Sequence, residues 1–355
     1  MAGIKLLNLF ALVSVTLVVL CSGPGSANAL TVDRSHVARH IRGHDSVAKR
    51  RRDTVSSNNK RCQPNPATTP SPSSTTPPPP ADSPTSTSLS STPAPASTSS
   101  TPPPASTPST GGTSSGKKWG LAWPNGDSDY LSNFASLPNV GYIYTWSPYI
   151  PTQASSLGLQ GIPMLWGSDQ ISDFQNLVVE GYANWVLGMN EPNEPSQSNM
   201  SPSDGANMWQ TYINPLQYKG YKLVSPACTN DQAGLDWYQQ FFAACSGCHF
   251  DAIAFHAYTT DAQSIITYAT TLYNTYNLPV WITEFADQNY SGSGGQASMD
   301  EVWAFAGTMT NFINNTPWLE VAFPFGVMSD LQGVNTANSL LSGNNPTALA
   351  YTYFG

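Results

Sequence analysis

Between Trp119 and Gly355, short apolar runs alternate with longer amphipathic segments eight times over. This alternation constrains the fold more than any other feature. Runs of four to seven apolar residues are strand-sized, and the segments between them are helix-sized or loop-sized. The strand candidates are Lys118–Trp123, Val140–Trp146, Ile162–Trp166, Trp185–Met189, Lys222–Ser225, Phe250–Phe255, Val280–Thr283 and Glu320–Phe325. Their starts average about 29 residues apart, the length of a βα unit. Helices are expected over Asp204–Leu216, Leu235–Ala244, Asp261–Tyr276 and Met299–Asn314, with caps at Ser203-Asp204 and at Ser298 followed by Glu301. A last helix is expected to begin at Asn345-Pro346-Thr347. The connection after Trp146 is short and Pro-rich, so a full helix is not expected there. No Gly-x-Gly-x-x-Gly turn follows the first strand, which argues against an open dinucleotide-binding sheet. The expected fold is an α/β (β/α)8 TIM barrel over residues 119–355, preceded by a disordered N-terminal region.

Composition changes sharply along the chain. Residues 1–29 read as a secretory signal peptide: Lys5, an apolar run from Leu6 to Leu20, and the small-residue site Ala27-Asn28-Ala29. The run is too short and too quickly followed by Gly and Pro to serve as a membrane anchor. Residues 30–61 hold nine Lys/Arg against three Asp, and the clusters at Lys49–Arg52 and Lys60-Arg61 read as processing sites of a basic pro-segment. Residues 62–118 form a Ser/Thr/Pro-rich linker; within 63–110, 39 of 48 residues are Pro, Ser or Thr, so this stretch cannot build a core. The remaining domain carries 18 Asp/Glu and two basic residues, Lys219 and Lys222. That acidity excludes nucleic acid and other polyanions as partners. No lipid signal follows the last helix, so the mature protein is expected to be secreted, free of the membrane and monomeric.

Cys62, Cys228, Cys245 and Cys248 would remain after signal removal. A redox or zinc role fits Cys245-Ser-Gly-Cys248 poorly, because it precedes a strand and no four-ligand set is evident. A structural disulfide is expected among Cys228, Cys245 and Cys248, with the pairing open. Asn199, Asn289 and Asn314 each begin an N-glycosylation sequon.

In a barrel of this kind the C-terminal strand ends face the active site. That rule alone collects Trp123, Trp146, Trp166, Asn190, Glu191, Asn230, His256, Tyr258, Glu284, Phe325 and Met328 on the rim. Aromatics and amides in such a groove suit a sugar ligand, although any single Trp could be core. Glu191 and Glu284 each end an apolar strand, where an unpaired carboxylate is costly. With two basic residues in the domain, salt-bridge partners are scarce. Two facing carboxylates suit glycosidic cleavage, one as proton donor and the other as nucleophile or base. Asn190 is placed to reach a sugar 2-hydroxyl, His256 and Tyr258 to orient a carboxylate, and Glu194 to border the cleft. No His-x-His or His-Glu-x-x-His grouping and no Gly-x-Ser-x-Gly elbow is present, so neither a metal, a cofactor nor a serine nucleophile is expected.

The segments Lys118–Trp123, Tyr142–Trp146, Gly188-Met-Asn-Glu-Pro-Asn193, Phe250–Tyr258 and Trp281-Ile-Thr-Glu-Phe285 together resemble glycoside hydrolase family 128, the alkali-sensitive-linkage-like glycosyl hydrolases of fungi. The resemblance covers Trp119–Gly355. It implies a retaining β-1,3-glucanase with Glu191 as acid/base and Glu284 as nucleophile. One departure is Ala322-Phe-Pro-Phe-Gly326, where the family commonly places an aromatic directly before Phe-Gly. The expectation is a secreted endo-β-1,3-glucanase acting on cell-wall glucan, with substrate contacts from Trp123, Trp146, Trp166, Asn190, Glu194, His256, Tyr258 and Phe325. Two alternatives stay open: a non-catalytic glucan-binding wall protein, and a glycosidase of another neutral polysaccharide.

Overall fold

The computed structural model describes residues 116–355. The signal peptide, the pro-segment, Cys62 and nearly all of the linker lie outside these residues. Eight parallel strands form one sheet in the order β3-β2-β1-β8-β7-β6-β5-β4. They are β1 Trp119–Ala122, β2 Val140–Tyr144, β3 Gln160–Gly161, β4 Trp185–Leu187, β5 Lys222–Thr229, β6 Ala252–Tyr258, β7 Val280–Ala286 and β8 Leu319–Pro324. A parallel bridge between Met164 and Leu187 joins the two ends and closes the barrel.

The third strand departs from the expectation of Ile162–Trp166. Ile162 N still donates to Ile143 O at 2.9 Å, but Pro163 has no N–H, and the regular ladder stops. Pro163 O instead accepts from Leu187 N at 3.0 Å, so this irregular stretch serves as the seam. The sixth strand begins later than expected and runs further, to Tyr258. Phe250 stays outside it and stacks on Trp209 at 4.5 Å between ring centroids.

The helices are α1 Leu131–Ala135, α2 Ile171–Leu177, α3 Pro202–Met208, α4 Gln232–Ala244, α5 Ala262–Tyr276, α6 Met299–Asn315 and α7 Ala348–Phe354. α1 and α2 span under two turns, too short for periodicity to reveal. The single helix expected over Asp204–Leu216 is instead α3, a wide π-type turn at Trp209–Ile213 and a 3₁₀ segment at Asn214–Lys219. Pro215 opens that last segment, and a proline cannot donate the helical bond an unbroken α-helix needs. The cap of α3 is Ser201 rather than Ser203, because Pro202 occupies the first helical position. Ser298 and Glu301 form the expected capping box on α6. Asn345–Pro346 pairs with Leu341–Ser342 as a small hairpin, and Thr347 caps α7.

Two apolar layers follow from strand alternation. Outward residues such as Leu121, Val186, Leu223, Ile253, Phe255 and Ile282 meet the helices. Inward residues fill the barrel, where Ala252 and Ala254 make room for Trp281, Tyr142, Tyr144 and Phe323. Trp281 lies 4.7 Å from Trp185 and 5.8 Å from Tyr142, a floor of aromatic rings beneath the site. Cys245 and Cys248 form the disulfide at the end of α4. Cys228 is a buried free thiol in β5, its pKa held up by burial.

Gly120 shows how closely the interior is packed. A Cβ there would lie 2.0 Å from the Phe323 ring. Gly120→Ala should therefore destabilise the fold by about 1–3 kcal/mol in urea titration. Combining it with Phe323→Leu should cost less than the sum of the two single changes.

Candidate active site

Glu191 and Glu284 reach the same space from opposite sides of the barrel mouth, and the backbone is bent at both to bring them there. Glu191 follows β4 with φ +39°, a left-handed conformation that costs a β-carbon residue about 1 kcal/mol or more. Its N–H donates to Ala227 O at 2.7 Å, and Asn190 N donates to Trp166 O at 3.0 Å, so neighbouring strands hold the turn. Gly188 allows this approach, since a Cβ would lie 2.6 Å from Pro226 N.

Glu284 lies within β7, not beyond it. Trp281 points into the barrel and Ile282 outward. Strict alternation would turn Glu284 outward with Ile282. Register shifts between Phe255 and His256 on β6, and between Ile282 and Phe285 on β7, add one residue and turn Glu284 inward, paired with His256. A bulge of this kind re-aims a side chain without breaking the sheet.

His256 sits between the two acids. Its Nδ1 is 2.8 Å from Glu191 Oε1 and its Nε2 is 3.5 Å from Glu284 Oε1. Trp146 Nε1 donates to Glu284 Oε1 at 2.6 Å, and the Tyr258 hydroxyl donates to Oε2 at 2.5 Å. Glu191, Glu284 and His256 are each at most 4% exposed. Burial alone would pull the imidazole pKa down, but the charges of Glu284 and Glu191 and the bond to Glu191 outweigh it, and the pKa is raised. Burial, then the same two charges, holds the Tyr144 phenol well above its usual value. Tyr144 donates to Thr283 O at 2.8 Å, just ahead of Glu284.

One ligating atom from each of Glu191, His256 and Glu284 lies within 4.8 Å of the others, a spacing that could hold a cation. The surroundings fit a free, metal-less carboxylate at Glu284 instead. Trp146 and Tyr258 direct an N–H and an O–H at Glu284, and such donors repel a metal and favour a free carboxylate.

The structure brings together Trp146, Trp166, Asn190, Glu191, His256, Tyr258, Glu284 and Phe325. Phe325 packs between Trp146 at 6.2 Å and Tyr258 at 5.7 Å, so Pro324 does not remove it from the platform. Trp123, expected among the substrate contacts, lies elsewhere. It is fully buried against Tyr130 and Phe134 in the outer layer. Period-2 alternation explains this, because Ala122 points inward and Trp123 therefore points out. Glu194 is half-buried in the loop beyond Glu191, hydrogen-bonded to Asn193, and its carboxyl is pushed up to about 7 by burial and then by Glu191 and Asp231. Asn199 and Asn314 are exposed, the latter accepting from Trp119 Nε1 at 3.1 Å; Asn289 is half-buried.

Sequence reasoning missed several supporting residues. Gln170 bridges two aromatic strand ends, donating to Trp146 O at 3.0 Å and accepting from Trp166 N at 3.2 Å. Gln197 accepts from Asn190 Nδ2 at 3.1 Å. Nothing local marks either glutamine. Tyr144 was legible, since it lies two residues before Trp146 and so on the same face.

Asp287, just past β7, is pushed up to about 6 by burial and then by Glu301. An acid raised in the fold supports stability below its unfolded pKa and loses that support as pH rises through the folded value. Asp287→Asn should therefore raise the melting temperature near pH 7.5 and leave it nearly unchanged near pH 4, by calorimetry at both.

A family profile for the glycosyl hydrolase catalytic core matches residues 120–353. The chain is 32% identical over 235 residues to alkali-sensitive linkage protein 1 of Schizosaccharomyces pombe; the match covers 65% of this chain and 42% of that protein. The chain thus spans under half the length of this curated relative. A family 128 subgroup II endo-β-1,3-glucanase from Sorangium cellulosum is 28% identical, with TM-score 0.58, over 67% of this chain and 97% of its own. A subgroup III curdlan-specific exo-β-1,3-glucanase from Blastomyces gilchristii, solved with glucose, is 26% identical, with TM-score 0.56, over 67% and 97%.

Proposed function

Because the chain belongs to the glycosyl hydrolase catalytic core family, within glycoside hydrolase family 128, we propose that it is a secreted, retaining endo-β-1,3-glucanase acting on cell-wall glucan. The observation that carries this reading is the buried Glu191–His256–Glu284 bridge at the barrel mouth. Oxygens of the two glutamates lie within 4.8 Å. This supports retention, which uses carboxyl groups about 5–5.5 Å apart, over inversion, which needs room for a water.

Glu284 is the nucleophile. The Trp146 and Tyr258 donors keep it anionic and fix its oxygens toward an anomeric carbon. Glu191 is the acid/base, and His256 governs its proton. An imidazolium between two carboxylates and a neutral imidazole beside a protonated Glu191 hold the same number of protons. They differ only by transfer along the 2.8 Å Nδ1–Oε1 contact. The cluster can thus place a proton on Glu191 while Glu284 stays charged. Glu191 gives that proton to the leaving oxygen as Glu284 forms the glycosyl ester. Glu191 then takes a proton from the water that releases the sugar. Asn190 faces the 2-hydroxyl. Trp166 and Tyr258, the partly exposed aromatics of the site, offer stacking faces to more than one glucosyl unit, which favours internal cleavage of a chain; Trp146 and Phe325 are buried behind them.

Glu284→Gln and Glu191→Gln should each lower kcat on laminarin by about 10³-fold or more, followed by reducing-sugar release. Azide should rescue Glu191→Ala to a β-glucosyl azide and Glu284→Ala to an α-glucosyl azide, distinguishable by NMR. Full turnover in either Gln variant would remove its assigned role. Glucose as the sole early product would overturn endo action. Glucan binding without hydrolysis would make the protein a wall-binding lectin.

The raised His256 pKa sets the pH dependence. The shared proton is present below that pKa and lost above it, so the alkaline limb of kcat/KM should lie above the ordinary imidazole value of about 6.5. His256→Gln should move that limb to lower pH as well as reduce the rate.

A further inference from the structure

The loop between β7 and α6 places a residue beside the carboxylates that no strand-end rule would find. We propose that Tyr290 is a substrate-contacting wall of the site, held there by a loop that Asn289 ties shut. This rests on the glucanase reading above.

The Tyr290 ring lies 5.7 Å from Tyr258, whose hydroxyl donates to Glu284. Burial, followed by the charges of Glu191 and Glu284, holds its phenol above the usual value, so both carboxylates act on it. The Tyr290 hydroxyl oxygen is buried, while the residue stays partly exposed and its ring offers a flat face to a pyranose. The glucosyl units flanking the scissile bond have that chemistry.

The loop is closed on itself through two side chains, Asn289 and Gln296. Asn289 Nδ2 donates to Ser293 O at 2.5 Å and to Gly295 O at 2.7 Å, while Oδ1 accepts from Ser291 N at 2.8 Å. Gln296 adds two bonds to the Asn289 backbone, at 3.0 Å and 2.9 Å. Gly292, Gly294 and Gly295 all have φ between +72° and +82°, which lets the chain curl back over a short span. Both hydrogens of the Asn289 amide are committed. An N-glycan would replace one of them and break the clasp. The Asn289-Tyr290-Ser291 sequon and the closed loop therefore exclude each other, and Asn289 is a positioning residue rather than a glycan site.

The test uses the secreted full chain and four variants: Tyr290→Ala, Asn289→Gln, their combination, and Ser291→Ala. Ser291→Ala destroys the sequon and keeps both Nδ2 bonds, but removes the Ser291 Oγ bond to Asn289 Oδ1. Tyr290→Ala and Asn289→Gln should each lower kcat/KM on laminarin by about tenfold, chiefly through KM, with melting temperature nearly unchanged. The double variant should be little worse than either, because the clasp acts through the tyrosine. Ser291→Ala, which keeps both Nδ2 bonds, should lose less kcat/KM than Asn289→Gln and show no loss of glycan mass. The same losses should appear in binding of laminari-oligosaccharides, measured calorimetrically in the Glu191→Gln background. Parental affinity in Tyr290→Ala, full additivity in the double variant, or a glycan lost from Ser291→Ala would overturn the proposal. A parent that binds but does not cleave would remove only the hydrolase reading, and the binding comparison would still decide the role of Tyr290. A parent that does neither would remove the glucanase reading and the contact role together. The mass of Ser291→Ala would still decide whether Asn289 is free of glycan.

Discussion

A buried imidazole between two buried carboxylates is the interaction on which the site depends. Removing three such groups from water is costly unless each meets a partner. His256 lies between Glu191 and Glu284 and answers both, while Trp146 and Tyr258 complete the shell of Glu284. The cluster is therefore held together without lysine or arginine, in a domain that contains almost none, although His256 Nε2 meets Glu284 only as a 3.5 Å contact without a hydrogen bond. One short contact, 2.8 Å between His256 Nδ1 and Glu191 Oε1, joins the imidazole to the first acid.

The backbone accepts irregularity to build this cluster. Glu191 takes a left-handed φ, Trp146 does the same at +52°, and β6 and β7 slip register where His256 faces Glu284. A strained turn or a bulge persists only where surrounding structure enforces it. Here the enforcement is local: Ala227 O receives Glu191 N, Gln170 spans the ends of two strands, and Gly188 lets β4 close against Pro226. Beneath, the aromatic floor of Trp185, Trp281, Tyr142 and Phe323 fills the barrel under the mouth. Gly120 and the alanines of β6 are what give those rings room.

Much of this was legible from residues alone. Strand length and spacing carry the barrel, because period-2 apolar runs separated by helix-length segments have few other solutions. The ends of those runs carry Glu191, Glu284, His256 and Tyr258. The third strand was less legible because Pro163 removes one donor and passes the pairing to a single bridge. Trp123 was misplaced because position at a strand end says nothing about facing; its parity with Leu121 did. Gln170 ends a three-residue 3₁₀ turn, and Gln197 and Tyr290 lie in loops, all too short or irregular to carry a readable period.

The sequence by itself determined the repeat, the absence of basic partners and the two carboxylates, since these depend on composition and local order. Tertiary structure decided which atoms meet. It paired Cys245 with Cys248 and left Cys228 free. It sent Trp123 to the helices, turned Glu284 inward by one extra residue, and set His256 between acids 93 positions apart in the chain. Those outcomes depend on bulges, φ values and loop closures, which arise from packing between distant segments rather than from the residues next to each one.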